Sequence, residues 1–361
     1  MKVAKLYSFN DIRIEDIPVP EIGPGDALLK TKASGICSGD VMPWYIEKKA
    51  PLVLGHEPAG EIVELGTDIL RSSHQLTHSP THPFTQLPIH QFKLGDRVFV
   101  HHHAPCLKCK FCRRGDYVQC ETWKNTKIIP GGISEYILIP QINLEHDTLK
   151  LPDNLNFEDG TLIEPTACVV KALKRANMRH GDTVLIIGLG VMGQLNILLA
   201  RKFGAGKIIG ADMIPFRIKM AKEFGADEII DVSKYNLVDS LKDLTDEEMA
   251  DLVVVGPNSV DVMKQGTSCA GAGGTVLFFT PAKPGEQLTI EPNDLYFRDI
   301  NIITSYSCGP TDTADALKII EEGTVRAEKL VTHRFPIEKT AEAFRLTAEA
   351  RDSLKSVIVF D

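Results

Sequence analysis

One stretch, "TVLIIGLGVMGQLNILLARKFGAGKIIGADMIPFR", does most to restrict what this 361-residue chain can fold into. An apolar segment runs into Gly188-x-Gly190-x-x-Gly193, a helical pattern follows, and a second apolar segment ends at Asp212. Glycines at this spacing are a weak signal alone, because turns are rich in them. Set between a strand and a helix, each has a mechanical use. Gly188 permits the tight turn, Gly190 lets the backbone approach a pyrophosphate, and Gly193 lets helix and strand pack closely. The helix N-terminus then faces the phosphates. Asp212 lies 19 residues beyond Gly193, where a carboxylate meets the adenosine ribose. Gly188, Gly190, Met192, Gly193 and Asp212 are the candidate dinucleotide-binding residues. Asp212 favours NAD by repelling a 2′-phosphate, and Arg217 keeps NADP open as the alternative.

Apolar runs at 183–187, 207–211, 251–255, 275–280 and 301–305 alternate with helix-length segments. That rhythm predicts βαβ units and a parallel sheet covered on both faces. Residues 1–152 read differently, as short apolar runs such as "DALLKTKASGI" and "GDRVFVHHH" between Pro- and Gly-rich turns. They predict an antiparallel barrel or sandwich. Residues 307–361 are mixed, with a helix expected over 311–322 and a closing strand in "SLKSVIVF". The chain is too long for one core. An α/β protein of two domains is expected, with boundaries 1–152, 153–306 and 307–361. Residues 71–91 fit neither pattern. His74, His78 and His82 have helical spacing, but Pro80 and Pro83 argue against a helix, and a surface loop is expected.

Net charge is −8 and spread along the chain, which leaves no basic footprint for nucleic acid. The N-terminus lacks an apolar signal region, and the most apolar stretch falls far short of the roughly 20 residues that span a bilayer. A cytoplasmic protein with neither nucleic-acid nor membrane partners is expected. Eight cysteines are present, and four of them, Cys106, Cys109, Cys112 and Cys120, crowd into a lobe at about 104–121. Their spacing brings four thiolates within reach of one tetrahedral ion, for which zinc is suited. Two disulfides, free thiols or an iron–sulfur cluster are the alternatives. A closed four-cysteine site has no open position and is structural. The adjoining His101, His102 and His103 read as surface or packing residues.

Three fragments remain: "GICSGD" with Cys37, "LGHEPAGE" with His56 and Glu57, and "LIEPTAC" with Glu164. In this order, beside the four-cysteine lobe and the glycine loop, they resemble the zinc-dependent medium-chain dehydrogenase family, and within it the sorbitol, threonine and secondary-alcohol dehydrogenases. The resemblance covers nearly the whole chain outside 71–91. It implies a GroES-like, β-rich catalytic domain completed by the C-terminal tail, a Rossmann NAD-binding domain between, and an active site in the cleft. It implies two zinc ions per chain: a structural ion in the lobe, and a catalytic ion on Cys37, His56 and Glu164 with Glu57 as an exchanging ligand. Phe278, Phe279, Thr280 and Ser305 would border the nicotinamide, and Met42 and Trp44 the substrate. The implied reaction moves a hydride between NAD(H) and a secondary alcohol, polyol or hydroxy-amino acid. Zinc with an open position binds the alcohol oxygen and lowers its pKa. A homodimer or homotetramer is implied as well.

Two positions depart from the family. A hydroxyl residue usually lies two places after the zinc cysteine, and in the polyol and threonine branch a histidine often follows three places later. This chain has Gly39 and Met42 there, with a hydroxyl at Ser38. Ser38 or Glu57 would then carry the proton relay. The apolar bulk of Met42 and Trp44 leans away from a threonine substrate. The alternatives from other classes are a catalytically idle relative that binds or supports, motivated by Gly39, and a thiol oxidoreductase built on the Cys-x-x-Cys spacing.

Overall fold

The structure, a computed structural model, describes residues 1–72 and 92–361. The histidine- and proline-rich segment from 73 to 91, with the surface loop expected there, lies outside the described residues. The chain forms two compact units: Met1–Ala167 with Ser307–Asp361, and Cys168–Tyr306. The first boundary falls inside the helix Ile163–Arg175.

Cys168–Tyr306 is built on six parallel strands. Counted along the chain, their spatial order is 3-2-1-4-5-6: Glu228–Asp231, Lys207–Asp212, Thr183–Ile187, Ala250–Val255, Ala270–Phe278, Asn301–Thr304. This is the doubly wound arrangement that the alternating rhythm predicts. Continuous Val and Ile runs form these strands because helices cover the sheet faces. Leu185, Ile209, Val253 and Val276 are wholly buried in one cluster. Each such side chain contributes about 1.5–3 kcal/mol of burial. The helix Val191–Lys202 starts at Gly190, directly after the first strand.

The other unit is β-rich. Its main sheet runs Val331–Pro336, Lys355–Val359, Ala27–Gly35, Glu57–Leu65, Arg97–Val100, Thr148–Lys150, with Tyr136–Ile139 also paired to Ala27–Gly35. All these pairings are antiparallel except that of Val331–Pro336 with Lys355–Val359. A smaller sheet joins Asp11–Asp16, Lys2–Ser8 and Leu52–Val53. The C-terminal strand enters beside residues from the start of the chain, with Val357 opposite Gly35. The same return segment carries the helix Pro310–Glu321, within a residue of its expected span. No helix among the described residues is long and apolar enough to cross a membrane.

Candidate metal centres and cofactor loop

Cys37 leaves the strand Ala27–Gly35 in a tight turn, closed by Asp40 N–H donating to the Cys37 carbonyl at 3.1 Å. In that turn the Gly39 N–H points at the Cys37 sulfur, 3.3 Å away. Glu57 opens the neighbouring strand directly opposite Gly35. The register therefore brings "GICSGD" and "GHE" together. One donor atom each from Cys37, His56 and Glu57 lie within 4.8 Å of one another.

His56 Nδ1 lies 3.1 Å from Asp40 Oδ2. A carboxylate on one ring nitrogen fixes the ring and leaves Nε2 for a metal. Burial opposes a charged His56, but the Asp40 and Cys37 charges outweigh it and hold the imidazole well above its usual value. Burial likewise opposes charge on Asp40, and His56 nevertheless pulls that carboxyl below its ordinary range. Glu57 has a second commitment that the sequence did not reveal. Lys355 Nζ donates to Glu57 Oε2 and, at 3.0 Å, to the Ile36 carbonyl, and both side chains of the pair are 1% exposed. Burial pushes the Glu57 carboxyl up; Lys355 pulls it down, and the nearby Glu164 carboxylate adds to the rise.

Glu164 sits in the first turn of the helix Ile163–Arg175. Its carboxylate groups within 4.8 Å of His101 and Cys308 and does not join the Cys37–His56–Glu57 set at that distance. Ser38 is exposed. Met42 and Trp44 are half-buried, and a Cβ placed on Gly39 would meet Cys37 Sγ at 3.4 Å and Met42 Cε at 3.9 Å. Met42 therefore lies next to the Cys37 turn.

The lobe gathers the sulfurs of Cys106, Cys109, Cys112 and Cys120 within 4.8 Å of one another, and none is in a disulfide. Trp123, Tyr117 and Leu107 pack around them. Burial pushes the Cys112 thiol up. Burial works the same way on Cys120, but N–H groups of Cys106 and Trp123 and the neighbouring thiols prevail, and it titrates at about 6. Four convergent sulfurs fit a soft tetrahedral cation.

Of the two expected readings, surface or packing, the three histidines take the packing one: His101 is buried, and His102 and His103 are partly so. They follow the strand Arg97–Val100 directly. His101 is wholly buried, its Nδ1 2.7 Å from Asp147 Oδ2. The His102 ring lies between His56 and Trp123, with centroid distances of 4.9 and 6.4 Å. Burial and the neighbouring imidazoles keep it neutral, well below its usual value. His103 Nδ1 meets the Thr126 carbonyl at 2.5 Å.

In the other unit, Gly188 has φ +87°, and a Cβ there would also strike Pro257. A Cβ on Gly193 would lie 2.1 Å from the Gly188 carbonyl oxygen, so helix and turn pack at glycine distance. At Gly190 a Cβ meets nothing closer than the Arg217 guanidinium, at 3.7 Å, so the backbone there is open to a ligand. Asp212 accepts from the N–H groups of Leu189 at 2.7 Å, Met213 at 2.7 Å and Ile214 at 2.9 Å. Arg217 Nη1 stands 3.7 Å from the same carboxylate. Met192 is the second residue of the helix Val191–Lys202. Phe278 ends the fifth strand of the sheet; Phe279 and Thr280 follow it, and Thr280 Oγ1 donates to the Gly256 carbonyl at 2.6 Å. Ser305 follows the sixth strand, and its buried Oγ has no hydrogen-bond partner among the described residues.

A sulfur–imidazole–carboxylate set in one unit and a dinucleotide loop in the other define a metal-assisted oxidoreductase. Residues 23–153 match the model of the alcohol dehydrogenase GroES-like domain, and 191–322 that of the zinc-binding dehydrogenase. A sorbitol dehydrogenase of Bombyx mori is 31% identical, over 98% of this chain and 97% of its own. An L-threonine 3-dehydrogenase of Rhizobium etli is 28% identical, over 92% and 90%. Two solved structures superpose over at least 99% of both chains: a zinc-binding dehydrogenase of Sinorhizobium meliloti bound to NADP, with TM-score 0.84 and 26% identity, and 2R,3R-butanediol dehydrogenase of Bacillus subtilis, with TM-score 0.83 and 25% identity. The chain belongs to the zinc-dependent medium-chain dehydrogenase family, and its cofactors are zinc and a nicotinamide dinucleotide.

Proposed function

We propose that this chain oxidises a polyol or related secondary alcohol with NAD, holding one structural zinc in the lobe and one catalytic zinc at Cys37 and His56. The observation that carries the reading is the Cys37–His56–Glu57 set with Asp40 behind His56. Its thiolate, imidazole and carboxylate donors suit zinc, and three protein ligands leave a fourth position open. Glu57 is one carboxylate ligand available there and Glu164, from the family resemblance, the other.

When bound, zinc supplies Lewis-acid polarisation of the alcohol oxygen, and the nicotinamide ring accepts the hydride. The residues of the chain set the conditions. Asp40 holds the His56 ring with Nε2 free, the Gly39 N–H steadies negative charge on the Cys37 sulfur, and Lys355 offsets charge on Glu57. Met42 and Trp44 supply apolar walls that exclude water from the reacting carbon. Ser38 is the hydroxyl nearest in sequence to the metal cysteine, and it passes the substrate proton outward from its exposed Oγ. Asp212 favours NAD through its carboxylate, with Arg217 beside it as the residue that would admit a 2′-phosphate. The polyol assignment draws on relatives named for sorbitol, L-idonate and erythritol or threitol.

The test is a spectrophotometric panel of polyols, secondary alcohols and hydroxy-amino acids, with NAD and NADP reduction followed in parallel. Polyol-dependent NADH formation that is lost in Cys37→Ser is expected. Absence of turnover across the panel in zinc-replete protein refutes the reading. Ser38→Ala should lower turnover at neutral pH by about 10²-fold; an unaltered pH–rate profile removes Ser38 from the relay.

A further inference from the structure

A second set of metal-competent side chains lies in the β-rich unit. His101 follows the strand Arg97–Val100, Glu164 lies in the first turn of the helix Ile163–Arg175, and Cys308 precedes the helix Pro310–Glu321. One donor atom from each lies within 4.8 Å of the other two, and all three residues are buried. His101 Nε2 stands 3.8 Å from Cys308 Sγ. That sulfur is also 3.9 Å from the Glu164 carbonyl oxygen.

The imidazole is locked in place. Its Nδ1 is 2.7 Å from Asp147 Oδ2, and Asp147 Oδ1 accepts from Thr313 Oγ1 at 2.6 Å. The His101 backbone N–H donates to the Asp147 carbonyl at 3.0 Å, and its carbonyl accepts from Asn143 Nδ2 at 3.1 Å. With Nδ1 committed to a carboxylate, Nε2 faces the thiol. A carboxylate–histidine pair of this kind is the arrangement that orients metal-binding histidines.

We propose that His101, Cys308 and Glu164 form a third zinc site, separate from the four-cysteine lobe and from the Cys37–His56 set, with Asp147 as the orienting carboxylate. Zinc bonds of about 2.0–2.1 Å to nitrogen and 2.3 Å to sulfur place tetrahedral N and S ligands about 3.5 Å apart, close to the 3.8 Å observed. Rotation of the Glu164 side chain closes the third edge. One nitrogen, one sulfur and one oxygen donor select zinc over magnesium or calcium, which take oxygen ligands. The fourth position goes to water or to the second Glu164 oxygen. Because the set is buried and drawn from both ends of the unit, the ion is taken up as the unit folds. With Glu164 committed here, Glu57 is the carboxylate left to the Cys37–His56 set, so the site is compatible with the dehydrogenase reading.

The test counts zinc per chain in full-length protein expressed with zinc and freed of loosely held metal on a chelating resin. Cys308→Ser should lose about one equivalent relative to the parent, and Cys37→Ser should separately lose about one. Loss on Cys308→Ser supports the third site; an unchanged count in folded Cys308→Ser overturns it. Should Cys308→Ser yield no folded protein, Cys37→Ser decides, with about two equivalents retained in support and about one overturning the proposal. An unchanged count in Cys37→Ser removes the catalytic zinc of the proposed function and leaves the Cys308 difference to be read by itself.

Discussion

Lys355→Met removes one partner of a buried ion pair and keeps much of the side-chain volume. Lys355 and Glu57 are each 1% exposed, and the same ammonium also satisfies the Ile36 carbonyl. The substitution strands a carboxylate and a carbonyl in a space closed even to a Cβ on Gly35, which would collide with Glu57 Oε2 and Lys355 Cε. Breaking a buried pair in this way costs about 3–5 kcal/mol. Urea unfolding followed by tryptophan fluorescence reads the affected unit directly, because Trp44 and Trp123 both belong to it. The pH dependence has a definite sign. Burial already raises the Glu57 carboxyl, and without Lys355 it rises further. A carboxyl whose folded pKa exceeds its unfolded value binds its proton more tightly when folded. The penalty is complete above the folded pKa and fades as pH falls toward the unfolded value of about 4.3. The deficit of Lys355→Met should therefore be largest at pH 7 and smaller at pH 5, and Glu57→Gln in the same chain should recover most of it. A pH 7 deficit below about 1 kcal/mol, or one indifferent to pH, refutes the reasoning.

Three further outcomes are expected. Gly193→Ala sets a methyl 2.1 Å from the Gly188 carbonyl, backbone that cannot yield; NADH binding, read by fluorescence titration, should weaken by more than about 10-fold with a stability loss of about 1–3 kcal/mol. Gly39→Ser meets only ordinary contacts, with Cys37 Sγ at 3.4 Å; it should keep stability within about 1 kcal/mol and restore turnover to Ser38→Ala, and no recovery argues against a relay at this turn. His103, held neutral to about pH 3 by burial and by His101, has a folded pKa below its unfolded one. Its contribution is intact above neutrality and lost as pH falls below about 6.5, by about 2 kcal/mol between pH 7 and 5; His103→Gln should flatten the fall in urea midpoint over that range.

Features coded by local pattern were legible. The strand Thr183–Ile187 and the start of the helix Val191–Lys202 follow from an apolar run meeting three spaced glycines, and the lobe follows from four cysteines separated by two, two and seven residues. Asp40 was within reach, since "CSGD" places a carboxylate three residues after the metal cysteine. Lys355 was not, because an isolated lysine in a closing strand looks solvent-facing until the pairing of Val357 with Gly35 turns it inward. Cys308 and Asp147 were hidden for a related reason. Each lies far along the chain, 207 and 46 positions from the histidine it faces. The histidine run was legible only as surface or packing, because nothing local tells which ring meets Asp147, 46 residues away.

The strand Lys355–Val359 also sets an order of events during synthesis. The unit that holds Cys37 and His56 closes only when residues from the far end of the chain pair with Gly35 and bring Lys355 to Glu57. Cys168–Tyr306 is continuous and can fold while the remainder is still being made. A nascent chain halted between Tyr306 and Lys355 therefore carries a complete dinucleotide-loop unit and an unfinished metal centre. Premature termination late in the message yields a nucleotide binder without chemistry rather than a weakened enzyme.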